Sequence, residues 1–161
     1  MGVAGCGKSS LGAAVARTLG VPLIEGDNFH SAASRGKMSQ GIALTDADRN
    51  GWLDTLCEEL RAYPEGVVMT CSALKKVYRD RLRQAAPSLR FAFLEISQDD
   101  AQARVHARAK EHFFSTSLVD SQFATLQVPT GEAGVLRLDA MASLSELQAQ
   151  VSAWLLTKET P

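Results

Sequence analysis

The segment Gly2-Val3-Ala4-Gly5-Cys6-Gly7-Lys8-Ser9 satisfies the spacing G-x-x-x-x-G-K-[ST] at Gly2, Gly7, Lys8 and Ser9. Glycines at this spacing let the main chain curl so that successive N–H groups point inward. A helix beginning directly afterwards adds the positive end of its dipole, and the combination suits a polyphosphate. Lys8 is then placed for the β- and γ-phosphates of a nucleoside triphosphate and the Ser9 hydroxyl for Mg²⁺, while Gly5, Cys6 and Ser10 complete the candidate nucleotide-binding set. The other reading is a glycine-rich turn ahead of a chance lysine. Glu25-Gly26-Asp27 ends a short apolar run. Two acids one residue apart on an extended chain point the same way, and such a pair can orient an attacking hydroxyl or hold water around a metal; a solvated turn is the alternative.

Positive charge gathers further along. From residue 75 to 90 there are six Lys or Arg (Lys75, Lys76, Arg79, Arg81, Arg83, Arg90) against the single acid Asp80. Lys75, Lys76 and Arg79, one turn apart behind Cys71-Ser72, are candidates for an anionic substrate or a phosphoryl group in flight; Arg81 and Arg83 read as solvated surface. Arg104 and Arg108 stand at i and i+4 of an expected helix, so one guanidinium can stack on a base while the other meets phosphate. An arginine-bearing exposed helix explains the same spacing. The three histidines and three cysteines show no metal-ligand spacing, which excludes a zinc site, and Cys6 is expected to point away from phosphate.

These groups need a scaffold. Leu11, Val15 and Leu19 share one helix face up to Gly20; Val21–Ile24, Gly66–Thr70, Phe91–Ile96 and Val135–Leu138 read as short buried strands. Helices are expected from Thr45 to Tyr63, over 73–86, from Ser97 to about Lys110, from Ser117, and from Ser143 with Glu146 as a capping box. Residues 28–44 read as loop or broken helix. Strands alternating with helices predict an α/β fold with a parallel sheet covered on both faces. A strand normally feeds a loop of the Gly2–Ser9 type, yet only Met1 precedes it. The expectation is a sheet with a gap at its middle, hence a chain starting further upstream, or another segment in the slot.

At 161 residues, 45% hydrophobic and 22% charged, the chain suits a single soluble domain spanning 1–161. A net charge of −1 argues against nucleic acid or membrane held by overall charge. Three cysteines, no long apolar run and no leader ahead of the first motif are the pattern expected of a cytoplasmic protein.

Gly2–Ser9, Gly26-Asp27 with His30, Lys37-Met38 with Gly41, Leu44 with Asp46, Asp48-Arg49, Trp52-Leu53, Cys71–Asp80, and His112-Phe113 through Gln122-Phe123 to Thr125-Leu126 resemble the gluconokinase family. These are small P-loop kinases related to shikimate kinase, and the likeness spans about residues 2–129. It implies a P-loop kinase fold with a five-stranded parallel sheet, a lid over roughly 104–125, a cytosolic homodimer, and ATP-dependent phosphorylation of D-gluconate on its 6-hydroxyl. It also implies roles: Asp27 for the hydroxyl, Glu25 and Ser9 for Mg²⁺, His30, Arg49, Lys75, Lys76 and Arg79 for the acceptor and the transition-state charge, Arg104 and Arg108 for ATP. The chain departs from the family pattern at Ser31, Ser34, Ala43, Gly51 and Glu111. A kinase for shikimate or a nucleoside monophosphate, or a non-catalytic nucleotide-binding module, would share the loop.

Overall fold

The computed structural model describes residues 1–108 and 116–157. Helix α1 (Lys8–Leu19) starts at Gly7 and stops at Gly20, both in the left-handed conformation that an L side chain resists. Strand β1 (Leu23–Glu25) follows and leads into a 3-10 turn, Gly26–Phe29. Residues 32–39 form helix α2, which the sequence left as loop because Gly36 and sparse apolar residues hide its period; Ser31 caps it by accepting from Ser34 N–H. Helix α3 (Asp46–Ala62) opens on a complete capping box, Thr45 with Asp48, and buries Trp52, Leu53, Leu56 and Leu60.

After strand β2 (Val68–Thr70), helix α4 begins only at Lys76 and runs to Ala85. It starts three residues later than expected because Ala73 holds a positive φ of 45° and Lys75 is extended, which breaks the helix that composition suggests. Strand β3 (Phe91–Glu95), helix α5 (Gln98–Arg108), helix α6 (Thr116–Thr125), strand β4 (Val135–Asp139) and helix α7 (Leu144–Leu156) complete the chain. Ser97 caps α5, and Ser143 with Glu146 forms the capping box of α7. The expected helix end at Lys110, and Glu111 and His112-Phe113, lie outside the described residues.

The strands form two parallel pairs, β1 with β2 and β3 with β4. One apolar layer, built from Leu11, Val15, Leu94, Leu138, Leu147 and Val151, packs α1 and α7 against the strands. A second, from Trp52, Leu53, Leu56, Tyr78, Leu82 and Phe91, joins α3 and α4 to the other side. The result is the layered α/β architecture expected, with four strands among the described residues instead of five. Between β2 and β3 lies a cavity of about 530 Å³ touched by Leu11, Val15, Val68, Phe91 and Leu94. Its end is closed by Met1, whose nitrogen donates to Ala92 O (2.6 Å) and whose carbonyl accepts from Leu94 N–H (3.0 Å), while Gly2 N–H donates to Ser72 O (3.2 Å). This is parallel-ladder bonding with Met1 opposite Phe93, so the chain's first residues bridge the two pairs at the edge of the phosphate loop. Among the described residues, no helix is long and apolar enough to cross a membrane.

Candidate active site

The loop Gly2–Gly7 is bent by three glycines with φ of 143°, 83° and 95°. A Cβ on Gly5 would stand 2.7 Å from Ala101 O, so α5 packs against bare main chain there. No side chain caps the N-terminus of α1, which leaves its first N–H groups as donors facing outward. Lys8 Nζ donates to Val3 O at 2.9 Å, and Ala4 N–H donates to Gln122 Oε1 at 2.6 Å. Ser9 Oγ donates to Glu25 Oε2 at 3.0 Å, and the same oxygen accepts from Thr70 Oγ1. Glu25, at the carboxyl end of β1, is thereby tied to the first turn of α1.

A cleft of about 260 Å³ opens in front of this loop. Gly5, Gly7, Lys8, Ser9 and Ser10 form one wall; Asp27, His30 and Arg49 form a second; Arg108, Ser121 and Gln122 form a third. Asp27 sits in the 3-10 turn with its carboxylate 74% exposed. Because the turn departs from extended chain after Glu25, the two acids diverge: Glu25 faces Ser9 and Thr70, Asp27 faces the cleft. Gly26 makes this possible, since a Cβ there would lie 2.5 Å from Thr70 O, and Trp52 Nε1 fixes the turn by donating to Gly26 O at 2.8 Å.

His30 is 7% exposed and stacks on Trp52, with ring centroids 4.6 Å apart and planes 12° from parallel. Its Nδ1 is buried without a hydrogen-bond partner, and its Nε2 lies 3.9 Å from Asp27 Oδ1. Burial holds the imidazole pKa below its ordinary value, against a smaller opposing pull from Asp27, so the ring is neutral near pH 7. Arg49 reaches into the cleft from α3, anchored by Leu44 O and standing over the Tyr78 ring at 6.0 Å.

The basic residues of α4 are distributed otherwise than their run in the sequence suggests. Lys75 makes a two-pronged bond to Asp46 (2.7 and 2.8 Å) and stands 5.8 Å from the centroid of Tyr78, whose hydroxyl also donates to Asp46. Those hydrogen bonds lower the Asp46 pKa, and Asp46 raises that of Lys75. Lys76 pairs with Asp80 at 2.6 Å, and Arg81 with Asp54. Arg79 is fully buried: it donates to Ala73 O, Leu74 O and Gln127 O and pairs with Glu132, which also accepts from Arg83. Lys75, Lys76 and Arg79 thus do not join the wall of the cleft. Arg79 instead secures the Ala73–Lys75 bend to the segment behind α6, where Gln127 N–H donates to Leu74 O and its side chain accepts from Lys76 N–H.

On α5, Arg104 Nη1 donates to Gly5 O at 3.5 Å and Arg108 lines the cleft. Ser72, Ser121 and Gln122 also line it; Ser72 and Gln122 fall in stretches that carry the family resemblance, but their types and spacing give no chemical role. Glu132 carries no local signal either, lying 53 residues from its partner Arg79.

A family model described as AAA domain matches residues 1–129. Thermosensitive gluconokinase of Escherichia coli (strain K12) is 38% identical over 154 residues, covering 93% of this chain and 82% of that protein. Gluconokinase of Gluconobacter oxydans (strain 621H) is 42% identical over 142 residues, covering 86% and 79%. The crystal structure of a gluconokinase from Sinorhizobium meliloti 1021 superposes with a TM-score of 0.85 at 43% identity, covering 96% of this chain and 92% of that one. With about two residues in five shared over most of its length and most of theirs, the chain belongs to the gluconokinase family.

Proposed function

We propose that this enzyme transfers the γ-phosphoryl group of ATP to the 6-hydroxyl of D-gluconate, giving 6-phospho-D-gluconate and ADP. The observation that carries the reading is the shared cleft: Lys8 and the open N-terminus of α1 stand on one wall, Asp27, His30 and Arg49 on the facing one. Phosphoryl transfer asks chiefly for alignment and charge neutralisation. The loop N–H groups and Lys8 hold the polyphosphate. Asp27 accepts the proton of, or orients, the attacking hydroxyl; neutral His30 offers a ring nitrogen to an acceptor hydroxyl; Arg49 answers the carboxylate of the sugar acid. Arg104 and Arg108 clamp the nucleotide as a lid over roughly 104–125 excludes water, which competes with the sugar as nucleophile.

The residues present also fit Mg²⁺. Ser9 Oγ and Glu25 Oε2, 3.0 Å apart beside the phosphate loop, are hard oxygen donors, and this ion commonly takes few protein ligands, completing its shell with water and phosphate. Bound there, the ion neutralises charge on the phosphates. Lys75, paired with Asp46 beside Tyr78, and Arg79, which sets the bend that carries Lys75, act on the site through position, and Lys76, held by Asp80, is assigned no contact with the acceptor. The family resemblance extends the reading to a cytoplasmic homodimer.

The test is ADP formation with a panel of acceptors: D-gluconate, shikimate, nucleoside monophosphates and none. Gluconate-dependent turnover that Lys8→Ala abolishes while the circular-dichroism spectrum stays unchanged is the expected result. Mg-ATP binding without turnover on any sugar acid would reassign the chain to nucleotide binding alone.

A further inference from the structure

Gln122 is the one side chain of α6 that bonds to the phosphate loop among the described residues. Its Oε1 accepts from Ala4 N–H at 2.6 Å across 118 positions of sequence. Only an oxygen can meet that N–H, so the bond fixes which way the amide faces and leaves Nε2 as a donor. No protein acceptor takes Nε2 among the described residues, and Gln122 lines the cleft with Ala4, Lys8 and Asp27. The amide therefore shares the cleft with the loop lysine and with the acid that faces the acceptor.

We propose that Gln122 is a phosphoryl-contact residue carried by α6: Oε1 orders the loop at Ala4, and Nε2 donates to the terminal phosphoryl oxygens of the bound triphosphate. This rests on the nucleotide site described above, but not on the identity of the acceptor. The geometry gives α6 a direct reading of whether the nucleotide is tri- or diphosphate. ADP lacks the group that Nε2 meets, whereas a triphosphate presents charged oxygens to a donor already oriented by the loop. A donor held in place beforehand costs no reorganisation when charge shifts during transfer.

Gln122→Glu keeps an acceptor for Ala4 N–H but replaces the donor by negative charge; Gln122→Met keeps the length and removes both functions. Titration calorimetry with Mg-ADP and with a Mg-bound non-hydrolysable ATP analogue reads the difference without any acceptor present. Both variants are expected to weaken the triphosphate analogue by about tenfold or more while changing ADP affinity by less than about threefold. Both are expected to lower kcat by about a hundredfold with a smaller change in the KM for the acceptor. Equal weakening of the two nucleotides, no weakening, or wild-type kcat in Gln122→Glu overturns the proposal. Should Gln122→Glu fail to fold, the uncharged Gln122→Met carries the same measurements. Because the titrations omit the acceptor, their outcome is independent of whether gluconate is the substrate.

Discussion

Arg79 and Glu132 form an ion pair across 53 positions of sequence, with their side chains 1% and 11% exposed. The pair closes a network in which one guanidinium also serves three main-chain carbonyls, at Ala73, Leu74 and Gln127. Breaking such a pair from one side leaves a buried charge without its counterpart. Glu132→Ala is expected to destabilise the fold by about 3–5 kcal/mol in urea denaturation. Arg79→Lys should recover little, because an ammonium cannot span the same fork of acceptors. A loss within about 0.5 kcal/mol for Glu132→Ala would show that the network contributes nothing to stability.

Asp27 faces the cleft with most of its carboxylate exposed, close to no group that needs it for packing. Asp27→Asn is therefore expected to leave the melting temperature within a few degrees and ATP affinity nearly unchanged while kcat falls by about a hundredfold or more. Steady-state kinetics beside nucleotide titration makes the comparison. Equal loss in both would assign Asp27 to nucleotide binding instead of to the hydroxyl.

Ser9 and Glu25 share one hydrogen bond beside the phosphate loop, the site proposed above for a divalent ion. Ser9→Ala is expected to raise the Mg²⁺ concentration for half-maximal rate by about 10- to 100-fold. Glu25→Gln should act in the same direction and less strongly, because Ser9 and Thr70 can still bond to its amide oxygen. A magnesium titration at saturating ATP distinguishes this from simple loss of nucleotide affinity.

His30 supplies a pH dependence of stability. Its folded pKa lies below the unfolded value of about 6.5, so the unfolded chain binds a proton first as pH falls. The contribution of neutral His30 is complete above about pH 6.5 and is lost as pH drops toward the folded pKa. Asp46, Asp80, Glu132 and Glu146 are held below the usual carboxylate range by their hydrogen-bond partners, so their contributions fade only at more acid pH, below about 4. Urea midpoints at pH 7.5, 6.0 and 5.0 should decline in the wild type and decline less in His30→Gln. Parallel curves would mean that another group carries the titration.

The parts of the site governed by local sequence were readable from it. The phosphate loop, the helix that follows, the capping boxes at Thr45 and Ser143 and the acid at Asp27 each rest on residues within a few positions of one another. What could not be read is what depends on distant chain coming together. The run of cations in α4 looked like a site for an anion because its counter-charges Asp46, Asp54 and Glu132 lie elsewhere in the sequence. Helix α4 starts late because Ala73 takes a left-handed conformation that Arg79 secures from the following turn, and no propensity encodes that. Gln122 gains a role only because α6 returns to Ala4.

The pairing of α4 also bears on how fast the enzyme meets its substrate. With Lys75, Lys76, Arg79, Arg81 and Arg83 sharing the four carboxylates of Asp46, Asp54, Asp80 and Glu132, that cluster keeps one net positive charge and projects little field beyond a Debye length of about 8 Å in physiological salt. On the function proposed above, an anionic sugar acid would therefore be attracted only at the cleft itself, by Arg49, and not guided from afar. Encounter is governed by diffusion onto a small target, and its rate constant should change little with ionic strength.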